Sequence, residues 1–504
     1  MRGPEVLCAF ALTFGLALGS SLAAQDVTAG DSGDVFSQEE TVVAPAENAQ
    51  AAAPTQEVLK GEGVRLTGLF SATSTVSATW DTVGTTSFDF LEPRDRGLTP
   101  GLTLNLGFSA KPDTDLAFYG EIRTAYPFVN SATVFVPNPA APNDPTRAVP
   151  TTLSTPDVQV FTLSTRFNWN DQLFFVFGKQ PVRWGTGYFF TPADDILSLT
   201  QVDLQNPTAQ REGPLALKVQ YPIPRTLSNI YLFVVAPRDA TKLVDLALAP
   251  KVEIQFGNTE LGLAGYYQKD AKPQLVAMGS TGVSGLNIFG EARVGFGSTR
   301  VYVVKRAVDY TSVLAPGYVS SYSTELRPDT PVFTGTLGAS YLVSDWKMSV
   351  FAQYLYNGDG YADLTLGDLL NAMAQRLNPF YPDAADPVPG LSDAGIGSSV
   401  GQHYAAASIS WTELFGTKFG FSVFALANLS DFSGYVKPTL SLEVFPRMTL
   451  SASTTVTFGD NGDEFTDPAG IPRLIPGSST YDPSYTARPT LSLALGLDLG
   501  SGGF

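Results

Sequence analysis

The chain is predicted to fold as an all-β, transmembrane antiparallel up-and-down β-barrel of about 18 strands, with short periplasmic turns and long extracellular loops. Three observations predict it. Residues 489–499 alternate Leu491, Leu493, Leu495, Leu497 and Leu499 with Thr490, Ser492, Ala494, Gly496 and Asp498. Such period-two patterning puts the aliphatic side chains on one face of a strand and the small or polar ones on the other. The same pattern recurs from Val64 onward in segments of about ten residues, the length at which a tilted strand crosses a bilayer. All of this follows an export signal, and no later run of about eighteen apolar residues could cross as a helix.

Residues 1–24 carry Arg2, an apolar run over residues 6–18, then Ser20, Ser21, Leu22, Ala23 and Ala24. That is the layout of a secretory signal peptide, cleaved after Ala23 or Ala24. Cys8, the one cysteine, lies inside the run, so disulfides and thiolate metal sites are excluded from the mature chain. Exported and without an anchoring helix, the chain is destined for the periplasm or the outer membrane. Within residues 25–62, the stretch 26–60 holds the acids Asp26, Asp31, Asp34, Glu39, Glu40, Glu47 and Glu57 against the single base Lys60. Rich in Ala, Gln, Thr and Pro and without periodicity, they read as a disordered acidic periplasmic linker. The barrel is assigned residues 63–504. Its overall hydropathy would suit a soluble protein equally well, because the two faces average out; only the periodicity separates the two.

From residue 63 short and long connections alternate. The first predicted strands are residues 65–78, 97–110, 116–126, 157–169 and 172–179, with tight polar links at 111–115 and Asn170-Asp171. Residues 214–221 and 229–235 follow, then 247–256 and 260–268 around Gly257-Asn258-Thr259, then 274–280 and 285–296. The last are 332–343 and 346–357 around Ser344-Asp345, then 403–411, 418–429, 435–445, 448–459 and 489–499. Short polar links of this kind are hairpin turns. Residues 127–156 read as a Pro-rich loop. Residues 297–331 read as one long loop, with 300–308 a strand extension above the membrane; treated otherwise, that stretch makes the count sixteen or twenty. An even count puts both termini and every short turn on one side and the long loops on the other. Trp169, Tyr221, Phe256, Trp346, Trp411 and Phe445 flank the short turns, and Tyr126, Tyr267, Tyr356 and Phe458 the opposite ends. Two interfaces call for two such girdles, whereas a soluble propeller or sandwich does not.

If the aliphatic face meets lipid, the other face lines the lumen. Parity puts Arg65, Arg123, Arg166, Lys179, Lys218, Lys251, Arg293, Lys347, Lys418 and Lys437 inside, with Glu121, Glu253, Glu291, Glu443 and Asp498. A charge facing lipid costs about 2–4 kcal/mol near the midplane, so this shared parity checks the strand assignments. Ten bases against five acids make a wall that leans positive within a chain of net charge −17. That wall predicts a wet, charged lumen open to small polar, anionic solutes. Glu121/Arg123, Lys251/Glu253 and Glu291/Arg293 are i, i+2 neighbours on one face and also suit ion pairs that stiffen the wall.

Residues 180–213 are the foremost functional candidate. They include Arg183, Trp184, Gly185, Gly187, Tyr188, Phe189, Phe190, Asp194, Asp195 and Arg211, too aromatic a set for a loop left in water. Gly185 and Gly187 would let the segment bend sharply. Two placements stay open. Folded into the barrel, it would present Arg183, Asp194, Asp195 and Arg211 to a constriction; otherwise it caps the rim. The remaining acids gather in the long loops. Residues 365–377 have helical spacing for a short helix on the barrel mouth. Residues 460–464 show only part of a calcium-loop pattern.

The segment Arg183-Trp184-Gly185-Thr186-Gly187, with Thr191-Pro192-Ala193-Asp194 after it, resembles those of substrate-selective outer-membrane porins, including alginate-export-type barrels. Residues 354–361 and 428–434 are similar in style to strand-to-loop transitions there. The resemblance spans most of residues 63–504, and no motif in it specifies a substrate. It implies an outer-membrane location, contact with lipid, and diffusion of small solutes without cofactor or metal. It also implies that the barrel-assembly machinery reads the C-terminal strand and its aromatic end, here Phe504. Leu499 and Phe504 stand in opposite registers, which interrupts that terminal pattern. Two other readings stay open. A transporter of hydrophobic substrates needs a plug, for which residues 25–62 are too acidic and polar. A surface-exposed adhesin or structural barrel would use the long acidic loops. Catalysis is not expected: the chain's one histidine, His403, lies at the loop end of a strand without a serine or a carboxylate pair beside it. Nucleic acid is not an expected partner either.

Overall fold

Alternating side chains commit the chain to strands with two unlike faces, and eighteen of them close on themselves. The computed structural model describes residues 60–503 apart from 62–63, 82–92, 94, 114, 137–148, 205, 239, 299, 311–316, 367, 370–399, 447, 461–462 and 467–489. The spanning strands begin with β1 (Val64–Asp81), β2 (Asp95–Asp113), β3 (Leu116–Ala125), β4 (Gln159–Trp169), β5 (Leu173–Lys179) and β6 (Leu215–Pro222). Next come β7 (Asn229–Ala236), β8 (Ala247–Phe256), β9 (Thr259–Tyr266), β10 (Gln274–Val283), β11 (Leu286–Phe296) and β12 (Pro331–Val343). The series ends with β13 (Met348–Asn357), β14 (His403–Trp411), β15 (Phe419–Asn428), β16 (Ser433–Phe445), β17 (Met448–Phe458) and β18 (Thr490–Gly503). Each pairs antiparallel with its neighbour in sequence, and β18 pairs with β1, giving a closed 18-strand barrel. Closure leaves no unpaired edge in the barrel wall. A further two-residue strand, Lys60–Gly61, folds back on the start of β1.

Strand β8 shows why the sheet belongs in lipid. Ala247, Ala249 and Lys251 are buried on its inner face, while Leu248, Val252, Ile254 and Phe256 are exposed on the outer one. Leu261 and Leu263 on β9, Leu275 on β10 and Phe333 and Leu337 on β12 continue this exposed belt. An apolar surface that runs around the molecule is far beyond what a soluble monomer tolerates, and it matches the hydrocarbon of a bilayer. Trp169, Tyr221, Phe256, Trp346 and Phe445 stand exposed near the short turns, and Tyr126 and Tyr267 at the opposite ends. The three-residue connection between β4 and β5, residues 170–172, opens with Asn170-Asp171 at φ 54° and 51°, a paired left-handed conformation that reverses the chain tightly.

Two predicted loops contain strands. Val129–Val136 pairs with Val149–Pro156, and Val301–Tyr310 with Gly317–Leu326, as separate two-stranded sheets outside the barrel wall. The strand extension foreseen at 300–308 is thus one arm of a hairpin. A hairpin that pairs only with itself needs no lipid face, so the alternation that marks spanning strands is absent from both. Of the predicted helix at 365–377, Leu366 and Leu369 are buried with Tyr302, Val303, Tyr361 and Val400, where the second hairpin meets the loop. Residue 367 and residues 370–377 lie outside the described residues, as do the predicted signal peptide and almost all of the linker.

The terminal pattern has a structural reason. Asp498 stands opposite Thr73 and Ser501 opposite Ser71, so two residues of β18 oppose the single residue Ala72. An extra residue flips the parity of everything beyond it. Before the bulge Leu495 faces Val76 on the outer side; after it Gly502 faces Phe70, which is also exposed outside. The bulge therefore keeps the positions of Leu495 and Gly502 on one outer face. Phe504 lies outside the described residues.

Candidate functional site

Residues 180–213 enter the barrel. The segment leaves β5 at the long-loop end and runs as a strap along the inner wall. Its seat is built from small side chains: Ala216 on β6, Ala247 and Ala249 on β8 and Ala264 on β9, all buried. Their shortness leaves depth for Val182, Trp184, Ala193 and Leu197 of the strap, which join them with Tyr231, Phe233, Val276 and Met278 in one apolar cluster. Trp184 is 2% exposed and meets Phe233 edge-on at 5.8 Å. Burying a ring of this size is worth about 3 kcal/mol. This sector of the wall is therefore dry, which differs from the uniformly wet, charged lumen that parity suggested. Parity sorts inner from outer, and it cannot tell an inner face that meets water from one covered by the chain itself.

Farther along, polar wall residues hold the strap by its backbone. Glu291 on β11 accepts the Gly187 N–H at 2.5 Å through Oε1 and the Ala193 N–H at 2.9 Å through Oε2. The Oε1 of Gln353 on β13 accepts the N–H groups of Tyr188, Phe189 and Phe190 at 3.2, 2.7 and 3.2 Å. Its Nε2 donates to the Phe190 carbonyl at 2.7 Å and to Thr336 Oγ1 at 2.6 Å. Within the strap, Asp194 Oδ1 accepts the N–H groups of Trp184 and Gly185 at 2.5 and 2.7 Å. Burial pushes the Asp194 carboxyl up, against the opposing pull of Arg183 and of these N–H bonds. Lys251 on β8 donates to the Trp184 carbonyl at 2.9 Å and also pairs with Glu253. Arg293 donates to the Pro192 carbonyl at 3.4 Å. The two glycines serve close approach rather than a bend. A Cβ on Gly185 would meet Glu291 Oε1 at 2.1 Å, and one on Gly187 the Phe190 carbonyl at 2.1 Å.

The predicted site residues thus divide into groups. Asp194, Glu291, Lys251 and Arg293 hold the strap, with Glu253 beside Lys251. Glu291 and Arg293, spaced for mutual pairing, both turn to the strap. Arg211 and Asp195 pair at 2.9 Å, with the Asp195 side chain 47% exposed, and Arg211 also donates to Thr191 Oγ1 at 3.0 Å. Arg183 is half-buried and reaches the Gly187 carbonyl at 3.5 Å. Glu121 and Arg123 form their pair at 2.6 Å, with the guanidinium 3.2 Å above the Phe161 ring. The sequence reading missed Gln353 and the aromatic wall beside it. Tyr188 stacks on Phe351 at 4.1 Å, and Phe189 packs against Phe424 at 5.3 Å. A glutamine at an inward position amid apolar neighbours was the available signal.

At the loop side, Glu464 ties two connections to the barrel mouth. Its Oε2 accepts the Tyr404 hydroxyl at 2.5 Å and Asn428 Nδ2 at 2.8 Å, and its Oε1 accepts the Val400 N–H at 3.2 Å. Burial, opposed by these hydrogen bonds and aided by the nearby Asp431 charge, pushes the Glu464 carboxyl up to about 7. Asp463, which accepts the Asp460 N–H at 2.6 Å, is raised to about 6, chiefly by burial. A carboxyl raised on folding favours the protonated folded form. Its stabilisation is complete below the ordinary carboxylate value and is lost as pH rises through about 7. Protease cleavage near residue 400 in intact barrels, corrected for intrinsic protease activity, is expected to accelerate from pH ~5 to pH ~8. Glu464→Gln, which cannot ionise, should flatten that dependence. A parent profile already flat would remove Glu464 as the loop anchor.

His403 lies on the outer face, with Nδ1 2.6 Å from the Tyr354 hydroxyl and its ring 5.4 Å from that of Tyr356. That is a girdle setting for an amphipathic ring. Among the described residues no group of three or more His, Cys, Asp or Glu side chains is placed to hold a metal ion.

No protein-family model matches the chain, and no curated protein matches it. Among solved structures it is similar to OccK8 (OprE) of Pseudomonas aeruginosa, at 9% identity and a TM-score of 0.40, covering 87% of this chain and 98% of that one. It is similar to OccAB1 of Acinetobacter baumannii at 10% identity and a TM-score of 0.41, covering 87% and 97%. It is also similar to OmpF of Salmonella typhi, solved in complex with daunomycin, at 9% identity and a TM-score of 0.36, covering 88% and 99%.

Proposed function

We propose that the protein is an outer-membrane channel for diffusion of small polar solutes, with a preference for anions, through a lumen narrowed by the strap of residues 180–213. The observation that carries this reading is the strap itself. A barrel with a lipid-compatible exterior has a segment folded inside it, seated on a fitted apolar wall and carrying Arg183, Arg211 and the exposed Asp195. Charged side chains at a narrowing select by sign, because the field of each is felt across a short water gap. The bases that parity sends inward supply the bias towards anions. In this reading the short turns face the periplasm, the long loops face outward, and the C-terminal strand engages the assembly machinery. Refolded protein in a planar bilayer under a salt gradient is expected to conduct, with a reversal potential of the sign set by anion flow. Absence of conductance would defeat the channel, and cation preference would defeat the basic-lumen argument.

A further inference from the structure

The strap covers part of the inner wall and leaves the rest open. Its seat runs from Ala216 on β6 to Val276 on β10, and Leu204 joins Leu426 of β15 and Tyr435 of β16 in a second apolar cluster. Beyond β16 the inner face changes character. Along β1 every inward position from 71 to 79 carries a hydroxyl: Ser71, Thr73, Thr75, Ser77 and Thr79. Strand β17 repeats this at every second residue from Thr449 to Thr457, and Thr99 and Thr103 continue the row on β2. Between β17 and β1, β18 turns Ser492, Ala494, Gly496 and Asp498 inward. Asp498, beside Thr449 near the short turns, is the one charge among these described positions. Val76, Leu450, Val456 and Leu495 alternate with them on the exposed outer face. Glycines keep the inner row low. Gly97 stands opposite Ser77, and Gly496 opposite Ser451 and Thr75. A Cβ on Gly97 would meet Ser77 Oγ at 2.7 Å, and one on Gly496 would meet Ser451 Oγ at 2.6 Å, so these hydroxyls lie across bare backbone. Although they face inward, Thr75, Ser451, Ser453 and Thr455 are half-buried and Thr73 is exposed, whereas Ala249 and Val276 under the strap are 0% and 1% exposed. The water of the lumen therefore borders this wall.

We infer that the face from β17 to β2 is the permeation lane of the barrel and that it takes compact neutral polyols, a solute class set by hydroxyls rather than by charge. A hydroxyl both donates and accepts, so it can replace either kind of hydrogen bond that a polyol gives up with water. Each such exchange nets only about 0.5–1.5 kcal/mol. Neighbouring hydroxyls lie roughly 4.8 Å apart across strands and roughly 7 Å apart along one. A solute with several hydroxyls thus meets many shallow sites and no deep one, which is the condition for passing instead of lodging. A carboxylate would shed hydration here with no Lys or Arg among these positions to offset the loss. Ion preference and polyol passage are separate properties: inward bases elsewhere in the lumen set the first, and this face sets the second. The inference rests on the proposed channel and names a solute class for it.

Residues 25–504 contain no cysteine, so with Cys8→Ser single thiols can be placed in the barrel without background. Thr75→Cys and Ser453→Cys, treated with 2-sulfonatoethyl methanethiosulfonate during planar-bilayer recording, are each expected to lose about half their conductance, because the adduct narrows a water-filled path. Ala249→Cys, beneath the strap, is expected to keep its conductance. No loss at either wall position, or a loss confined to Ala249→Cys, would overturn the lane. Glucose-driven swelling of proteoliposomes reads the solute class. Thr73→Val, Thr75→Val, Ser453→Ala and Thr455→Val, combined in one chain, remove four hydroxyls at nearly constant shape. Swelling is expected to slow by about threefold or more while potassium chloride conductance is kept. Heat-modifiable gel mobility verifies that each variant is a folded barrel. Swelling unchanged by the four substitutions, or no glucose entry through a barrel that conducts, would overturn the polyol assignment and leave the channel standing. A barrel that admits neither ions nor glucose would remove the channel and the lane with it.

Discussion

Deleting residues 184–195 is expected to raise single-channel conductance by roughly twofold or more, since a segment within the lumen excludes water and ions from it. The deletion removes Trp184 and the three rings Tyr188, Phe189 and Phe190, all held inside the barrel against β7, β13, β14 and β15. Barrel closure does not depend on them. Strands β5 and β6 pair directly along Phe174–Lys179 and Leu215–Gln220, so a shorter connection can still join them. The wider lumen should also weaken ion selectivity, shifting the reversal potential towards zero, because each wall charge then acts across a broader water gap. Heat-modifiable mobility verifies folding, and planar-bilayer recording reads the outcome. Conductance equal to that of the parent would place the strap away from the conduction path.

Glu291→Ala is expected to unlatch the middle of the strap. The change leaves the Gly187 and Ala193 N–H groups without their carboxylate acceptor. A hydrogen bond to a charged group is worth about 1.5–3 kcal/mol, so the two together imply a loss of about 3 kcal/mol or more in holding the strap. Gln353 would keep the adjoining aromatic stretch in place, so the strap would fluctuate without leaving the lumen. Its signature is a noisy open channel with a raised mean current and a lower temperature for loss of the folded gel form. Glu291→Gln should fall between: its amide oxygen can accept one N–H, while its NH₂ meets a second donor. Gln353→Ala, which removes the shared acceptor of three backbone N–H groups at once, should produce the same noise. The combined variant is expected to depart from additivity, because both residues hold one segment. Quiet, parent-like traces in both single variants would mean that the apolar seat alone retains the strap.

The spanning strands were legible because lipid imposes its rule on every one of them. Val252, Ile254 and Phe256 must face out if Lys251 and Glu253 face in, so parity survives loops of any length. The hairpin at 301–326 and its counterpart at 129–156 escaped because self-paired arms beyond the bilayer answer to no such rule. The strap was readable as a segment from its aromatic content, while its path was not. That path depends on alanines at 216, 247, 249 and 264, which look unremarked in sequence because what matters is the depth they leave. It depends equally on Gln353, one polar residue whose importance appears only when three backbone N–H groups converge on it.

The division of labour in the strap has an evolutionary consequence. The N–H groups of Trp184, Gly185, Gly187, Tyr188, Phe189, Phe190 and Ala193 are all engaged by side-chain oxygens of Glu291, Gln353 and Asp194. A passing solute therefore finds these seven amides already engaged. The course of the narrowing is encoded in the wall and in contacts such as those of Arg211 with Thr200 and Thr191, and its chemistry in exposed residues such as Asp195. A lineage could retune what the barrel admits by point substitution there, generation after generation, without having to refold the path.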